Sequence, residues 1–261
     1  MDYLLVGSVA LVVAGLTLFS GFGLGTLLLP AFAIFFPIQT AVAATAIVHL
    51  ANNVFKIALI GCNTDRRVLL RFGLAAVLFA FLGAQTLRAV AAMPDIATYQ
   101  FASRAFVITP TGLTIGALII AFAILDLAPS KKKRLEFGAK SLALGGALSG
   151  FFGGLSGHQG ALRSVFLIRA GLDRDAYIAT AAAASLLVDI TRLLVYGLAI
   201  VTLADTNARS ATPLILTACA CAFTGSFIGT RLVKKTTIKA LRTAVGIALL
   251  LAGSAMATGL I

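Results

Sequence analysis

The sequence predicts an all-α polytopic membrane protein made of two inverted repeats, each a glycine-broken helical hairpin followed by three transmembrane helices. Three observations predict it. The 261 residues are 60% hydrophobic and 11% charged, with a mean hydropathy of +1.03, whereas roughly half of a soluble domain is apolar. Apolar runs of about twenty residues, each able to cross about 30 Å of hydrocarbon, recur along the whole chain. Lys and Arg fall in short clusters between these runs, where they set orientation and meet anionic lipid headgroups.

Taken in order, residues 3–36 hold two apolar arms around Ser20-Gly-Phe-Gly-Leu-Gly25, the second arm carrying Pro30 and ending at Pro37. Spans over 40–61, 68–92 and 105–127 follow and complete a first repeat over 1–128. The polar loop Cys62-Asn-Thr-Asp-Arg-Arg67 separates the first two spans, and Met93-Pro94-Asp95 opens a longer loop that ends near Arg104. The most basic loop, with Lys131–Arg134, occupies 129–138. The second repeat, 139–261, has a hairpin over 139–169 broken at Gly150–Arg163, then spans over 176–203, 212–232 and 240–260. Glycine weakens a helix interior by about 1 kcal/mol relative to alanine, and exposed backbone polar groups cannot face lipid. These breaks therefore need protein or a wet cavity around them.

Charge placement chooses between a hairpin and a single crossing. If each broken segment crossed once, Lys234, Lys235 and Lys239 would lie opposite the Arg66/Arg67 and Lys131–Arg134 loops. If each enters and leaves on one side, all three basic loops share the cytoplasmic face with Arg169 and Arg174, and both termini lie outside. A hairpin plus three spans is an odd number of crossings, so the two halves enter the membrane from opposite sides. Transporters of this plan hold their substrate near the midplane where the breaks meet. A shift of 135 places Gly15 on Gly150 and Gly25 on Gly160, and a shift of 136 places His49 on Ser185, Asn53 on Asp189, Lys56 on Arg192 and Gly61 on Gly197.

Composition also excludes partners. The net charge of +12 is spread over interhelical loops, so membrane lipid and not nucleic acid is the expected partner. Cys62, Cys219 and Cys221 form neither a disulfide framework nor a zinc-ligand spacing. The N-terminus lacks the features of a removable signal peptide, so the first apolar run is expected to be retained. Two histidines outside any hydrolytic motif point to a non-enzyme, and no cofactor is expected. A lone Gly-x-Gly at Gly23–Gly25 without a phosphate-loop lysine is weak evidence for a nucleotide.

Three groups of polar residues carry the functional reading. His49, Asn52, Asn53 and Lys56 fall at i, i+3, i+4 and i+7, one face of an otherwise apolar helix. They either line a wet cavity or, in the plainer alternative, Lys56 snorkels to the headgroups while the asparagines cross-link helices. Asp189 and Arg192, at i and i+3 deep in a span, form either a structural ion pair or a working site. In the second case Asp189 is a proton carrier together with His49, and Arg192 binds an oxyanion through two parallel hydrogen bonds. Gly157, His158, Gln159, Gly160 and Arg163 surround the second break, and Gly23 and Gly25 the first. Glycines let backbone amides approach a ligand, and a half-helix beginning there turns its positive end toward the gap, which suits an anion. The alternative is that the glycines serve only close helix packing and Arg163 braces the hairpin.

Gly21-Phe-Gly-Leu-Gly25 with Leu-Leu-Leu-Pro30 and Ala41-Val-Ala-Ala-Thr45 resembles the opening repeat of the sulfite exporter TauE/SafE family. Leu148-Ser-Gly-Phe-Phe-Gly-Gly-Leu-Ser-Gly-His-Gln-Gly160 with Arg192-Leu-Leu-Val-Tyr-Gly197 is similar to its second repeat, although Leu24 departs from the pattern and the proline usual after the second glycine run is missing. The resemblance implies a permease of the plasma (bacterial inner) membrane for sulfite, a sulfonate or a related oxyanion, moved outward. A passive anion channel on the same fold and a non-transporting scaffold subunit are the rival expectations. The scaffold reading gains if His49, Asn53 and Lys56 lie on an outer surface.

Overall fold

The structure is a computed structural model that describes residues 2–20, 24–101, 103–127, 139–202, 206–232 and 238–261. Ten α-helices are found among them: α1 Asp2–Ser20, α2 Leu24–Ala33, α3 Ile38–Ile60, α4 Arg66–Ala91, α5 Pro110–Leu127, α6 Ala139–Ser156, α7 Gly160–Leu167, α8 Arg174–Thr202, α9 Thr206–Leu232 and α10 Ile238–Ala257. Gly23 and the basic runs Lys131–Arg134 and Lys234–Lys235 lie outside the described residues. Stretches of α3, α4, α8 and α9 are long and apolar enough to cross a membrane.

Helix α4 turns mostly small residues inward and large ones outward. On α4, Phe72, Ala76, Ala80 and Ala84 are buried, while Leu70, Leu74 and Leu78 point out with about two thirds of their surface uncovered by protein. A water-soluble protein would do the reverse. Lipid tails are as apolar as leucine, so close backbone approach between small residues drives association instead.

Three helix pairs show that approach. Gly146, Gly150 and Gly154 of α6 lie against the carbonyls of Phe72, Ala76 and Ala80 of α4, so closely that a Cβ at any of them would overlap the carbonyl oxygen. The constant offset means that α6 and α4 run parallel. In the same way Gly225 and Gly229 of α9 meet Leu11 and Gly15 of α1, also in parallel. Between α5 and α10, a Cβ at Gly112 would sit 2.9 Å from the Met256 carbonyl and one at Gly253 would sit 2.9 Å from that of Gly116, an antiparallel pair. The first helix of each half is thus fastened to the fourth helix of the other half.

Directions follow from these contacts. Asp65 caps α4, its side chain accepting from the Val68 N–H at 2.9 Å, and its own N–H donates to Thr180 Oγ1 of α8 at 3.0 Å. Since α6 runs parallel to α4, residues 139 and 174 both lie at the Asp65 end of the bundle. The connection of α2 to α3 and the start of α9 lie at the far end, and so does the start of α1.

The far end carries an element that sequence reasoning did not anticipate. Residues predicted as loop and as the opening of the span 105–127 form an antiparallel hairpin, β1 Ala97–Phe101 with β2 Arg104–Ile108. That span begins instead at Pro110, whose fixed φ suits a first helical residue. Tyr99 stacks on Phe106 with ring centroids 5.5 Å apart, and its hydroxyl donates to the Thr258 carbonyl at 2.8 Å. The hairpin therefore clips the C-terminal end of α10. Tyr99→Phe removes one outward-facing hydrogen bond worth about 0.5–1.5 kcal/mol. Its expected effect is a melting temperature lower by about 2–4 °C in a detergent thermal shift, with transport rate unaltered.

Candidate functional site

The stripe on α3 packs against α8, and the two helices meet at Asp189. His49, Asn52 and Asn53 are all buried, and Lys56 is half-buried. Asp189 itself is fully buried and both its oxygens are occupied. Oδ2 lies 2.6 Å from His49 Nδ1 and accepts from Asn53 Nδ2 at 3.0 Å. An ionised carboxylate only accepts, so with Asp189 charged the hydrogen sits on His49 Nδ1. Oδ1 accepts from Arg192 Nε at 3.1 Å and from Gln159 Nε2 at 3.3 Å, and pairs with Arg192 Nη2 at 2.9 Å. One carboxylate thus ties α3, α8 and the α6–α7 break together across 140 residues of sequence.

The break begins at Gly157, whose φ of +81° ends α6. A side chain there would be strained, and its Cβ would lie 2.6 Å from Arg192 Nη1. Gln159 follows as the N-cap of α7 without a side-chain cap bond, leaving the first N–H groups of α7 to other partners. The Ser149 hydroxyl holds the Gln159 carbonyl at 3.0 Å, and the Tyr196 hydroxyl donates to the Gly154 carbonyl, pinning α8 to the end of α6. From the first half, Gly25 in the opening turn of α2 approaches the same place, since its Cβ would lie 3.3 Å from the Gly157 carbonyl. The two breaks touch.

Arg163, 8% exposed, extends from α7 to donate to the Ser185 hydroxyl. His158 is buried but turned elsewhere. Its ring stacks on Phe122 of α5 at a centroid distance of 6.0 Å, and its Nδ1 lies 3.0 Å from the Ser156 hydroxyl. The hydrogen bonds that its ring makes are to Ser156 and not to the Asp189 carboxylate. Gly160 opens α7 beside Gln159. Two residues that the sequence reading passed over belong here. Ser226 of α9 donates to Asn52 Oδ1 at 2.8 Å, and Ser185 receives Arg163. Ser185 was findable, one turn before Asp189 and aligned with His49 by the 136-residue shift. Ser226 was not, because nothing in an apolar helix marks one serine above another.

The electrostatics favour an anion. Among the described residues Arg163 and Arg192 bring two positive charges into the interior and Asp189 one negative, leaving one buried positive charge uncompensated, to which half-buried Lys56 adds. Several buried side-chain atoms have no hydrogen-bond partner among the described residues: Arg192 Nη1, Arg163 Nε, Asn52 Nδ2, Thr45 Oγ1, His158 Nε2 and Gln159 Oε1. Leaving such groups unpaired costs about 1–3 kcal/mol each. The first three can only donate, and a ligand rich in acceptor oxygens would satisfy them.

The family described as Sulfite exporter TauE/SafE matches residues 3–256. No curated protein shows a significant match to the chain. A match over nearly the whole length means that the chain belongs to the sulfite exporter TauE/SafE family.

Proposed function

We propose that this member of the sulfite exporter TauE/SafE family is a secondary transporter that moves a small sulfur-containing oxyanion outward across the plasma membrane, coupled to protons through Asp189 and His49. The observation that carries the reading is the buried, net-positive cluster at the place where the two glycine breaks touch. The anion binds between the breaks. Arg192, Arg163 and Lys56 supply charge, Asn52, Asn53 and Gln159 orient it, and the backbone at Gly25, Gly157, His158 and Gly160 completes the site.

The exchange of packing partners between halves, with α1 on α9 and α6 on α4, supports two inverted repeats. Each hairpin then opens at its own end of the bundle. The Asp65 end, with Arg66, Arg67 and Arg174, is assigned to the cytoplasm and the termini to the outside. Burial of His49 and Asn53 supports a transport path over a scaffold role, which would gain from those residues lying outside.

Proton coupling follows from the hub. Protonating Asp189 or its partner His49 raises the positive charge of the cluster by one and releases Arg192 toward the anion. Sulfite and a small alkylsulfonate, tested in proteoliposomes, are expected to accumulate against their gradient when a pH step is imposed. One pH unit is worth about 1.4 kcal/mol, enough to hold an about tenfold ratio for one proton per anion. Asp189→Asn, which keeps the side chain's shape but cannot carry the proton, is expected to lose that accumulation. Flux that only runs down its gradient in the wild type would identify a passive channel instead.

A further inference from the structure

The charged groups along α8 lie in a definite order. Ser185, Asp189 and Arg192 follow at i, i+4 and i+7, so from the Asp65 end inward the helix presents the partner of Arg163, then a carboxylate, then a second guanidinium. Helix α3 runs antiparallel to α8, since Asn53 meets Asp189 and the residue Asp65, just beyond the end of α3, meets Thr180. Lys56 lies one turn past Asn53 toward that same end. Lys56 and Arg163 therefore occupy one level, on the Asp65 side of the carboxylate, where Arg163 holds Ser185 of α8 and Lys56 follows Asn53 on the face of α3 that meets α8.

The two cations differ from Arg192. The Arg192 guanidinium is held by Asp189 through Nε and Nη2. Among the described residues neither Lys56 nor Arg163 is ion-paired with a carboxylate, and Arg163, more than nine-tenths buried, keeps an Nε without a partner. A buried guanidinium without a counter-ion, with a second cation on the same level, is unfavourable unless an anion joins them.

We infer that the proposed site is divided into two anion stations, one formed by Lys56 and Arg163 on the Asp65 side of the carboxylate and the other at Arg192. The inference rests on the transport reading above and adds sidedness to it. Its ligand is of the same chemical class, a small oxyanion whose oxygens accept from an ammonium and a guanidinium at once. An anion arriving from the Asp65 end meets Lys56 and Arg163 first. Asp189 stands between the two positive stations, so the anion passes only as that carboxylate is neutralised or drawn aside. Two weak stations in series favour release as well as capture.

The test uses sulfite as probe and measures initial rates from each face of oriented proteoliposomes. Lys56→Gln removes one charge-assisted contact, so its KM from the Asp65 face is expected to rise about tenfold, against about twofold or less from the other face. Lys56→Arg is expected to restore the wild-type value. In detergent, equilibrium titration with sulfite is expected to find two sites per chain in the wild type, and one of the two about tenfold weaker in Lys56→Gln. A KM that rises equally from both faces, an unchanged KM, or a single site in the wild type overturns the second station while leaving transport intact. A wild-type protein that neither binds nor moves sulfite overturns the transport reading itself, and the station with it.

Discussion

Arg192→Lys is expected to lower the initial rate of sulfite transport by at least about 100-fold in proteoliposomes, the scale of loss that follows small misplacements in a binding site. The variant should still be extracted as folded protein. Arg192 is fully buried and uses its planar fork twice, with Nε and Nη2 on Asp189 and Nη1 turned toward Gly157 at the break. A lysine ammonium is a point charge on a flexible stem. It can neutralise Asp189 or reach the break, but not both. Lysine is the informative change because alanine would leave Asp189 without its cation, at about 3–5 kcal/mol, a large share of a typical net stability of about 5–15 kcal/mol. Loss of transport in Arg192→Ala would therefore confound folding with function. Wild-type rates in Arg192→Lys would reduce Arg192 to a counter-ion for Asp189 and remove it from the substrate path.

The parts of this site that were legible in the sequence are those governed by helical period. His49, Asn52, Asn53 and Lys56 were readable as one face because they recur at i, i+3, i+4 and i+7, and the structure turns the first three inward onto α8 and α9. Asp189 and Arg192 were readable as neighbours for the same reason. That His49 and Asn53 join the same carboxylate was not, because only the 136-residue shift related the two helices and it aligned Asn53 with Asp189 without implying contact. The direction of the His158 ring was illegible too. Its neighbours in sequence suggested a place at the break, where it lies, but not that its ring would stack on Phe122 of α5.

The β-hairpin was missed for a specific reason. Ala105-Phe-Val-Ile108 is a short apolar run, and such a run reads equally as a strand or as the start of a helix. Attaching it to the following span ignored Pro110, which marks a helix start more strongly than apolarity does. The alternation in Thr98-Tyr-Gln-Phe101 and the turn at Ser103, with φ of 63°, complete a pattern that length alone obscures.

The packing that holds the break in place leads to the second large effect. Gly150→Ala is expected to destabilise the protein and to abolish transport even in the fraction that folds. On α6 the three residues Gly146, Gly150 and Gly154 recur every fourth position, and each lies against a backbone carbonyl of α4. At Gly150 a methyl group would overlap the Ala76 carbonyl oxygen and come within 2.6 Å of the Ala76 Cα, so relief requires one helix to move as a body. Backbone cannot yield as a side-chain tip can, and overpacking of this kind costs about 1–3 kcal/mol. The displaced helix is the one whose C-terminal end carries Gly157 and Gln159. A shift of about 1 Å there is enough to lose about two orders of magnitude in rate, because Gln159 Nε2 already reaches Asp189 at only 3.3 Å. Leu148→Ala is the control. It lies two residues away on the same helix and is 37% exposed on the outer surface, and it is expected to leave both melting temperature and transport near wild type. If Gly150→Ala were to melt later or transport as well as wild type, the close α4–α6 contact would not be what positions the break.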